Sequence, residues 1–313
     1  MSVQTIQPSD IESILGDTIS ERLKKRLVDF DLRFTEITPQ ERDQYILEAV
    51  KALVNPDLKV SGEHRIEDWE RGWGENLEEF CKTGNPDAAV PLYFGKYPIV
   101  RWRRHWVRPL NADHEYRLLC ILVEYVIERY MADKSAIYEF GCGPGYHLLR
   151  ARMINAKARL VGLDWATSSQ KILNGMAERG IDQNLEGRRF DFYHPDETLE
   201  FLPNSAVYSV AALEQIGDRH REFVNFLLNR KPEVVVHLEP IDELMDGNDL
   251  HDQLSVLYCR KRNYLKGYLS YLEQLENEGK LTIHRKQRTE YGSFFIEGHS
   301  LVVWSPAVTL ERI

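Results

Sequence analysis

The feature that most constrains the fold is a glycine-rich turn, Gly141-Cys-Gly-Pro-Gly145, between a predicted strand over 136–140 and a predicted helix over 146–154. Its three glycines let the backbone turn sharply and approach a ligand closely, because no Cβ is in the way. A GxGxxG dinucleotide fingerprint would need a glycine where the chain has Tyr146, and Pro144 removes a backbone donor. The turn predicts a ligand site of another kind, with a plain strand-to-helix connection as the alternative.

Strands and helices alternate after this turn. The expected strands are 158–163, 188–193, 206–211, 233–238, 281–288 and 300–304, and the expected helices are 168–179, 219–228 and 250–278. Such alternation implies an open, mostly parallel sheet with helices on both faces, and the last two strands add an antiparallel hairpin. The sequence therefore predicts an α/β, Rossmann-like sheet, in which ligands bind at the carboxyl ends of the strands.

The region before the sheet has a different pattern. Capping boxes at Ser9–Glu12 and Thr38–Glu41 indicate helix starts, and an apolar stripe over 112–133 predicts one long helix. We therefore expect two parts: a mainly helical lid or substrate-recognition region over 1–111 and the sheet domain over 112–313.

Composition excludes several classes of protein. The 49 acidic and 40 basic residues give a net charge of −9, which argues against nucleic acid as the main partner. No apolar run is long enough to span a membrane. The first residues lack a secretion signal, and the four cysteines are too far apart for a disulfide or zinc framework. These observations together predict a cytoplasmic protein.

Carboxylates follow successive strands. Asp164, in Gly162-Leu-Asp-Trp165, can accept hydrogen bonds from both hydroxyls of a ribose, and a helix cap is the alternative. Asp191 can accept from a purine amino group while Phe192 packs on the ring, and a turn residue is the alternative.

These signatures, with Glu139 before the glycine turn, make residues 135–306 resemble the class I S-adenosylmethionine-dependent methyltransferases. Ala211-Ala-Leu-Glu-Gln215 resembles the family's Leu-Glu-His segment, although Gln215 replaces the histidine. The resemblance implies S-adenosyl-L-methionine as the cofactor. The implied cofactor-binding residues are Glu139, Gly141, Cys142, Gly143, Gly145, Asp164, Trp165, Asp191, Phe192 and Leu213.

The resemblance also implies which part of the cofactor most of these residues would contact. The turn from Gly141 to Gly143 would line the methionine part, and Glu139 would lie near its amino group. Asp164 would hold the ribose hydroxyls, and Trp165 would flank the adenine. Asp191 would bind the adenine amino group, while Phe192 and Leu213 would cover the two sides of the ring.

Methyl transfer to an alcohol needs a group that accepts a proton. The candidates are Glu239, Glu214 and His147, with an orienting contact as the alternative for Glu214 and a simple helix start for His147. His237 has the pattern of a core histidine.

The expected acceptor is a small molecule, a hydroxyl of a sugar or another polyhydroxylated or anionic metabolite. A peptide or small amine, a non-catalytic cofactor-binding scaffold and a nicotinamide enzyme remain alternatives, and a homo-oligomer is possible.

Two charged segments have competing interpretations. The acidic residues from Glu239 to Asp246 could hold a divalent metal, but an acidic helix start is favoured and no metal is predicted. Arg101-Trp-Arg-Arg-His-Trp-Val-Arg108 could bind phosphate and stack on rings, but packed tryptophans with paired arginines, or a small anionic ligand, are favoured over RNA.

Overall fold

The computed structural model describes residues 2–307. The elements before the large sheet are β1 (Val3–Thr5), α1 (Pro8–Leu15), α2 (Glu21–Asp29), β2 (Arg33–Glu36), α3 (Pro39–Val54), α4 (Ile66–Thr83), β3 (Val100–Trp102), β4 (His105–Pro109) and α5 (His114–Tyr130). The remaining elements are β5 (Ala136–Phe140), α6 (Tyr146–Ile154), β6 (Arg159–Asp164), α7 (Thr167–Glu178), β7 (Leu185–Arg189), β8 (Ser205–Val210), α8 (Arg221–Arg230), β9 (Val234–Glu239), α9 (Leu250–Arg262), α10 (Tyr268–Asn277), β10 (Leu281–Gln287), β11 (Tyr291–Gly292) and β12 (Ser300–Pro306). Short 3-10 turns lie between several of them.

The predicted fold class is confirmed. A seven-stranded sheet has the order β10-β12-β9-β8-β5-β6-β7. Its five strands from β5 to β9 pair in parallel, whereas β12 is antiparallel to both β9 and β10. The central strands are buried throughout, as expected for a sheet covered on both faces. The strand order reverses between β5 and β8, so a crevice opens at their carboxyl ends.

Two local predictions are wrong, and a third region holds strands that were not predicted. The third strand is Leu185–Arg189 rather than 188–193, because the residues that follow leave the sheet and bury Phe190 among other phenylalanines. The helix predicted over 250–278 is two helices, α9 and α10, because Asn263 adopts a left-handed conformation with φ of 56° and caps α9. The region over 1–111 has more helix than strand, but β1 to β4 were not predicted.

These short strands form a second sheet. Its order is β1-β2-β4-β3-β11, and all its pairs are antiparallel. The β3–β4 hairpin turns at Arg103 and Arg104, both with positive φ, as a tight hairpin turn requires. The fifth strand, β11, comes from the far end of the chain, so residues on both sides of position 111 build this sheet.

Candidate active site

A pocket lies at the carboxyl ends of β5, β6 and β8, where the strand order reverses. Most of its lining is aromatic or apolar. The lining residues are Trp69, Trp73, Gly141, Asp164, Trp165, Phe190, Phe192, Tyr193, Ala211, Ala212, Gln215 and Ile216. Of the predicted cofactor residues, Gly141, Asp164, Trp165 and Phe192 line the pocket.

The glycine turn approaches neighbouring elements too closely for any other residue. A Cβ on Gly141 would lie 2.3 Å from the Ala212 Cβ, and φ at Gly141 is +68°. A Cβ on Gly143 would lie 3.0 Å from the Trp73 ring. Gly145 has a packing role instead, because its Cβ would lie 2.2 Å from Leu173 on α7. The Cys142 thiol is buried in the core. The turn therefore presents backbone atoms rather than side chains to the pocket.

Asp164 ends β6 and is almost fully buried. One carboxylate oxygen accepts a hydrogen bond from the Gly143 backbone N–H at 2.9 Å, and the other accepts from the Ala166 N–H at 2.8 Å. Burial raises the pKa of Asp164 to about 6, so the group is mostly ionised at pH 7. Each oxygen of an ionised carboxylate keeps a free lone pair, so Asp164 can still accept bonds from two ligand hydroxyls.

Aromatic rings form the wall beside Asp164. Trp165 and Tyr193 are stacked, with centroids 6.2 Å apart, and Trp69 and Trp73 on α4 are stacked at 5.4 Å. These rings suit a planar heterocycle. Sequence reasoning missed Tyr193 as a lining residue, and also Trp69 and Trp73. The spacing of the two tryptophans, four residues apart on one helix, was a signal that could have found them.

Asp191 and Leu213 do not line the pocket. Asp191 lies beyond the end of β7, and its carboxylate accepts from the Tyr193 N–H at 2.9 Å, as in an Asx turn. Leu213 is fully buried, and its N–H donates to Glu239.

Glu139 lies under the glycine turn and is held by two neighbours. Its Oε1 is 2.9 Å from His147 Nδ1, and its Oε2 accepts from the Tyr208 hydroxyl at 2.8 Å. All three side chains are buried. The contact through Nδ1 orients the His147 ring, and the other ring nitrogen, Nε2, has no contact with Glu139. That Nε2 is buried without a partner.

Glu239 ends β9 and is fully buried. Four donors converge on its carboxylate: the Ser209 hydroxyl at 2.7 Å and the backbone N–H groups of Ala212, Leu213 and Glu214 at 3.0–3.1 Å. Burial raises its pKa, and these hydrogen bonds oppose that shift. Glu239 thus holds the turn that follows β8.

Glu214 lies in that turn and differs from Glu239 in its hydrogen bonds. Its Oε1 accepts from Gln215 Nε2 at 2.7 Å, whereas its Oε2 is buried without a partner. Burial, with the nearby Glu239 charge, raises the pKa of Glu214 to about 8, and the Arg262, Gln215 and Tyr264 side chains oppose the shift. The carboxyl group is therefore mostly protonated at pH 7, and its ionised fraction can take up a proton near that pH.

The other chemistry-bearing segments are packed. His237 is fully buried, bonds Ser209 through Nδ1 at 2.8 Å, and has its pKa lowered to about 3 by burial. Arg101 is buried and donates to three backbone carbonyls, and burial lowers its pKa to about 10. The remaining arginines of 101–108 each pair with acidic residues. This segment therefore matches the interpretation of packed tryptophans and paired arginines.

The acidic residues after β9 also have structural partners. Glu239 points into the turn described above, and Glu243 accepts from the Leu269 and Ser270 N–H groups at the start of α10. Over residues 2–307, no group of three or more histidine, cysteine, aspartate or glutamate side chains could hold a metal ion. In the same range, no helix is both long and apolar enough to cross a bilayer.

No protein-family model matches the chain. In sequence, the chain is 21% identical over 141 residues to the protein-lysine N-methyltransferase EFM4 of Saccharomyces cerevisiae, covering 45% of this chain and 54% of that protein. The chain thus spans about half the length of this curated relative.

Two similar solved structures are an O-methyltransferase family protein from Burkholderia thailandensis and the cyclase SpnF. The first is 13% identical, covers 97% of this chain and 89% of its own, and has a TM-score of 0.46. The second is 14% identical, covers 77% and 96%, and has a TM-score of 0.49. Several further similar structures are described as methyltransferases.

The sequence resemblance rested on the glycine turn, the carboxylates at successive strand ends and the terminal strand pair, and the structure places the glycine turn against Asp164 and the hairpin at one edge of the sheet. That resemblance is confirmed: the chain is similar to the S-adenosylmethionine-dependent methyltransferases of class I.

Proposed function

We propose that the protein transfers a methyl group from S-adenosylmethionine to a small-molecule acceptor. The observation that carries this proposal is the pocket at the strand-order reversal, where a backbone turn, a buried carboxylate and a wall of aromatic rings meet. When bound, the cofactor supplies an electrophilic methyl group on a sulfonium.

The residues of the pocket fit this cofactor. Trp165, Phe192 and Tyr193 would hold the adenine by stacking and burial. Asp164 would accept from the ribose hydroxyls, and the turn from Gly141 to Gly143 admits the methionine part because a Cβ there would fill the space. Glu139 is held by His147 and Tyr208, so we assign it a role in fixing the turn rather than a direct bond to the amino group.

Glu214 is the proton acceptor that the contacts favour. When Glu214 is ionised, its unpartnered Oε2 can accept a proton from the methyl acceptor, whereas all four donors to Glu239 keep that carboxylate occupied. General base catalysis of this kind contributes on the order of 10² to 10⁴ in rate. His147 is the second candidate, because Glu139 fixes its ring and leaves Nε2 free.

The hydroxyl of a sugar or another polyhydroxylated metabolite is the acceptor we propose first, since an alcohol needs the base that Glu214 provides. An amine is the second candidate. Glu214 could accept from an ammonium group, and the yeast relative is named as a lysine N-methyltransferase.

Residues 1–111 would select the acceptor, since Trp69 and Trp73 close one side of the pocket. The four free cysteines suit the reducing cytoplasm, where we place the protein.

Calorimetric titration with S-adenosylmethionine and S-adenosylhomocysteine tests the proposal, with NAD as the control ligand. We expect micromolar binding of both sulfur ligands and at least about tenfold weaker binding by Asp164→Ala, a loss of about 1.4 kcal/mol. Equal affinity for NAD, or no binding by folded protein, would overturn the proposal.

If the cofactor binds, a screen of sugars and amines for S-adenosylhomocysteine formation identifies the acceptor. Product formation with any of these acceptors rejects the alternative of a non-catalytic scaffold. For an alcohol acceptor, Glu214→Gln should lower kcat, whereas for an amine it should mainly raise KM.

A further inference from the structure

The helix that follows Asp164 begins without a cap of its own. The residue at the N-cap position of α7 is Ala166, whose side chain cannot accept a hydrogen bond, and the first turn holds no acidic residue. Free N–H groups at a helix start need partners. Asp164 accepts from the Ala166 N–H, but the next two N–H groups, of Thr167 and Ser168, have no partner within α7.

Glu70 on α4 supplies the missing partner from nearly a hundred residues away in sequence. Its carboxylate accepts from the Thr167 N–H at 2.6 Å and from the Ser168 N–H at 3.1 Å, and it also accepts from the Ser168 hydroxyl. A carboxylate at this position is also favoured by the helix dipole.

Glu70 lies between the two tryptophans that line the pocket. Trp69 precedes it by one residue, and Trp73 follows by three, with its ring against Gly143. At the far end of α4, Phe80 packs on Gly175 of α7, and the Arg179 guanidinium donates to the Phe80 carbonyl. Near the pocket, Glu70 provides the polar contact between the two helices.

We propose that Glu70 is a positioning residue for the cofactor site: by capping α7 it fixes α4, so that Trp69 and Trp73 form a wall of the pocket rather than a freely moving lid. This inference rests on the proposed function, because the same pocket would hold the cofactor. A site whose binding-competent form is less populated binds its ligand more weakly in proportion.

The test compares Glu70→Gln with Glu78→Gln. Both substitutions remove one negative charge from α4, but Glu78 is exposed and has no side-chain partner among the described residues. The two readouts are calorimetric affinity for S-adenosylhomocysteine and quenching of tryptophan fluorescence by acrylamide in the ligand-free protein.

We expect Glu70→Gln to bind S-adenosylhomocysteine about tenfold more weakly and to be quenched more strongly, as for the loss of a helix cap. Glu78→Gln should match the wild type in both readouts. Wild-type affinity and quenching in Glu70→Gln would overturn the inference, as would equal losses in the two variants.

Two further arms keep the test decisive. If Glu70→Gln does not fold, Ser168→Ala removes only the hydroxyl contact, and we expect about twofold to threefold weaker binding; unchanged binding by that variant would overturn the inference. If the wild type does not bind S-adenosylhomocysteine, the proposed function fails, and the quenching comparison alone decides whether Glu70 fixes α4.

Discussion

The end of β9 and the turn after β8 each hold a buried glutamate, and the two carboxylates differ in their partners. Glu239 accepts from four donors, whereas Glu214 accepts from one and has an oxygen with none. Burial raises the pKa of both groups. Burial therefore does not distinguish a base from a structural carboxylate, and the number of donors does.

Removing Glu239 should have the largest effect on stability. Glu239→Ala leaves the Ser209 hydroxyl and three backbone N–H groups buried without an acceptor, at about 1–3 kcal/mol for each unsatisfied group. We expect the free energy of unfolding in urea to fall by at least about 3 kcal/mol. A loss no larger than that of Glu214→Gln would show that the comparison between the two carboxylates is wrong.

Glu214→Gln should have the opposite effect: the protein should still fold, and the rate of methyl transfer should fall. With an alcohol acceptor from the screen, we expect kcat to fall by on the order of 10² while S-adenosylhomocysteine affinity stays unchanged. Steady-state kinetics and calorimetry measure the two quantities. An unchanged kcat would indicate that His147 is the base instead, and the kcat of His147→Gln would test that assignment.

The pH dependence of stability sharpens the same comparison. The pKa of Glu214 in the folded protein, about 8, is above its usual value of 4.5. As the pH rises, the unfolded chain therefore releases this proton at a lower pH than the folded protein does. The stability that the protonated group contributes is complete below pH 4.5 and is lost as pH rises through 8.

The Glu214→Gln variant has no group to ionise at this position. Between pH 5 and pH 8 the free energy of unfolding of the wild type should therefore fall relative to that of the variant, by up to about 1.4 kcal/mol per pH unit. Urea unfolding of both proteins across this range gives the difference. Parallel curves would mean that the folded pKa of Glu214 is not raised.

Ser209→Ala should have the smallest effect. It removes one of the four donors to Glu239 and the partner of His237 Nδ1, while the three backbone donors remain. We expect about 1 kcal/mol less stability and an unchanged kcat. A fall in kcat comparable to that of Glu214→Gln would indicate that the Ser209–Glu239 contact takes part in the chemistry.

The large sheet could be predicted from sequence because its central strands are covered on both faces and their apolar runs are continuous. The strand at 136–140 and the helix at 146–154 were predicted with the bounds that the structure has. The third strand was misplaced because the apolar residues of this segment, Phe190 and Phe192, lie just beyond it and pack on other rings.

The candidate site was harder to predict where it depends on contacts between distant elements. Strand-end carboxylates such as Asp164 could be placed from local pattern alone. The donors around Glu239 are mostly backbone groups, which no residue type reveals. Trp69 and Trp73 reach the pocket only because α4 packs on α7.

The β3–β11 pairing has a consequence for the order of events during synthesis. Trp102 pairs with Tyr291, and Arg101 donates to the carbonyls of Phe294 and Phe295, so these partners are separated by about 190 residues. The ribosome makes β1 to β4 early, but their sheet cannot be completed until β11 has emerged. Closing so long a loop is slow. The strands β1 to β4 are therefore synthesised well before the strand that completes their sheet, and the edge of β3 that pairs with β11 stays unpaired in the interval.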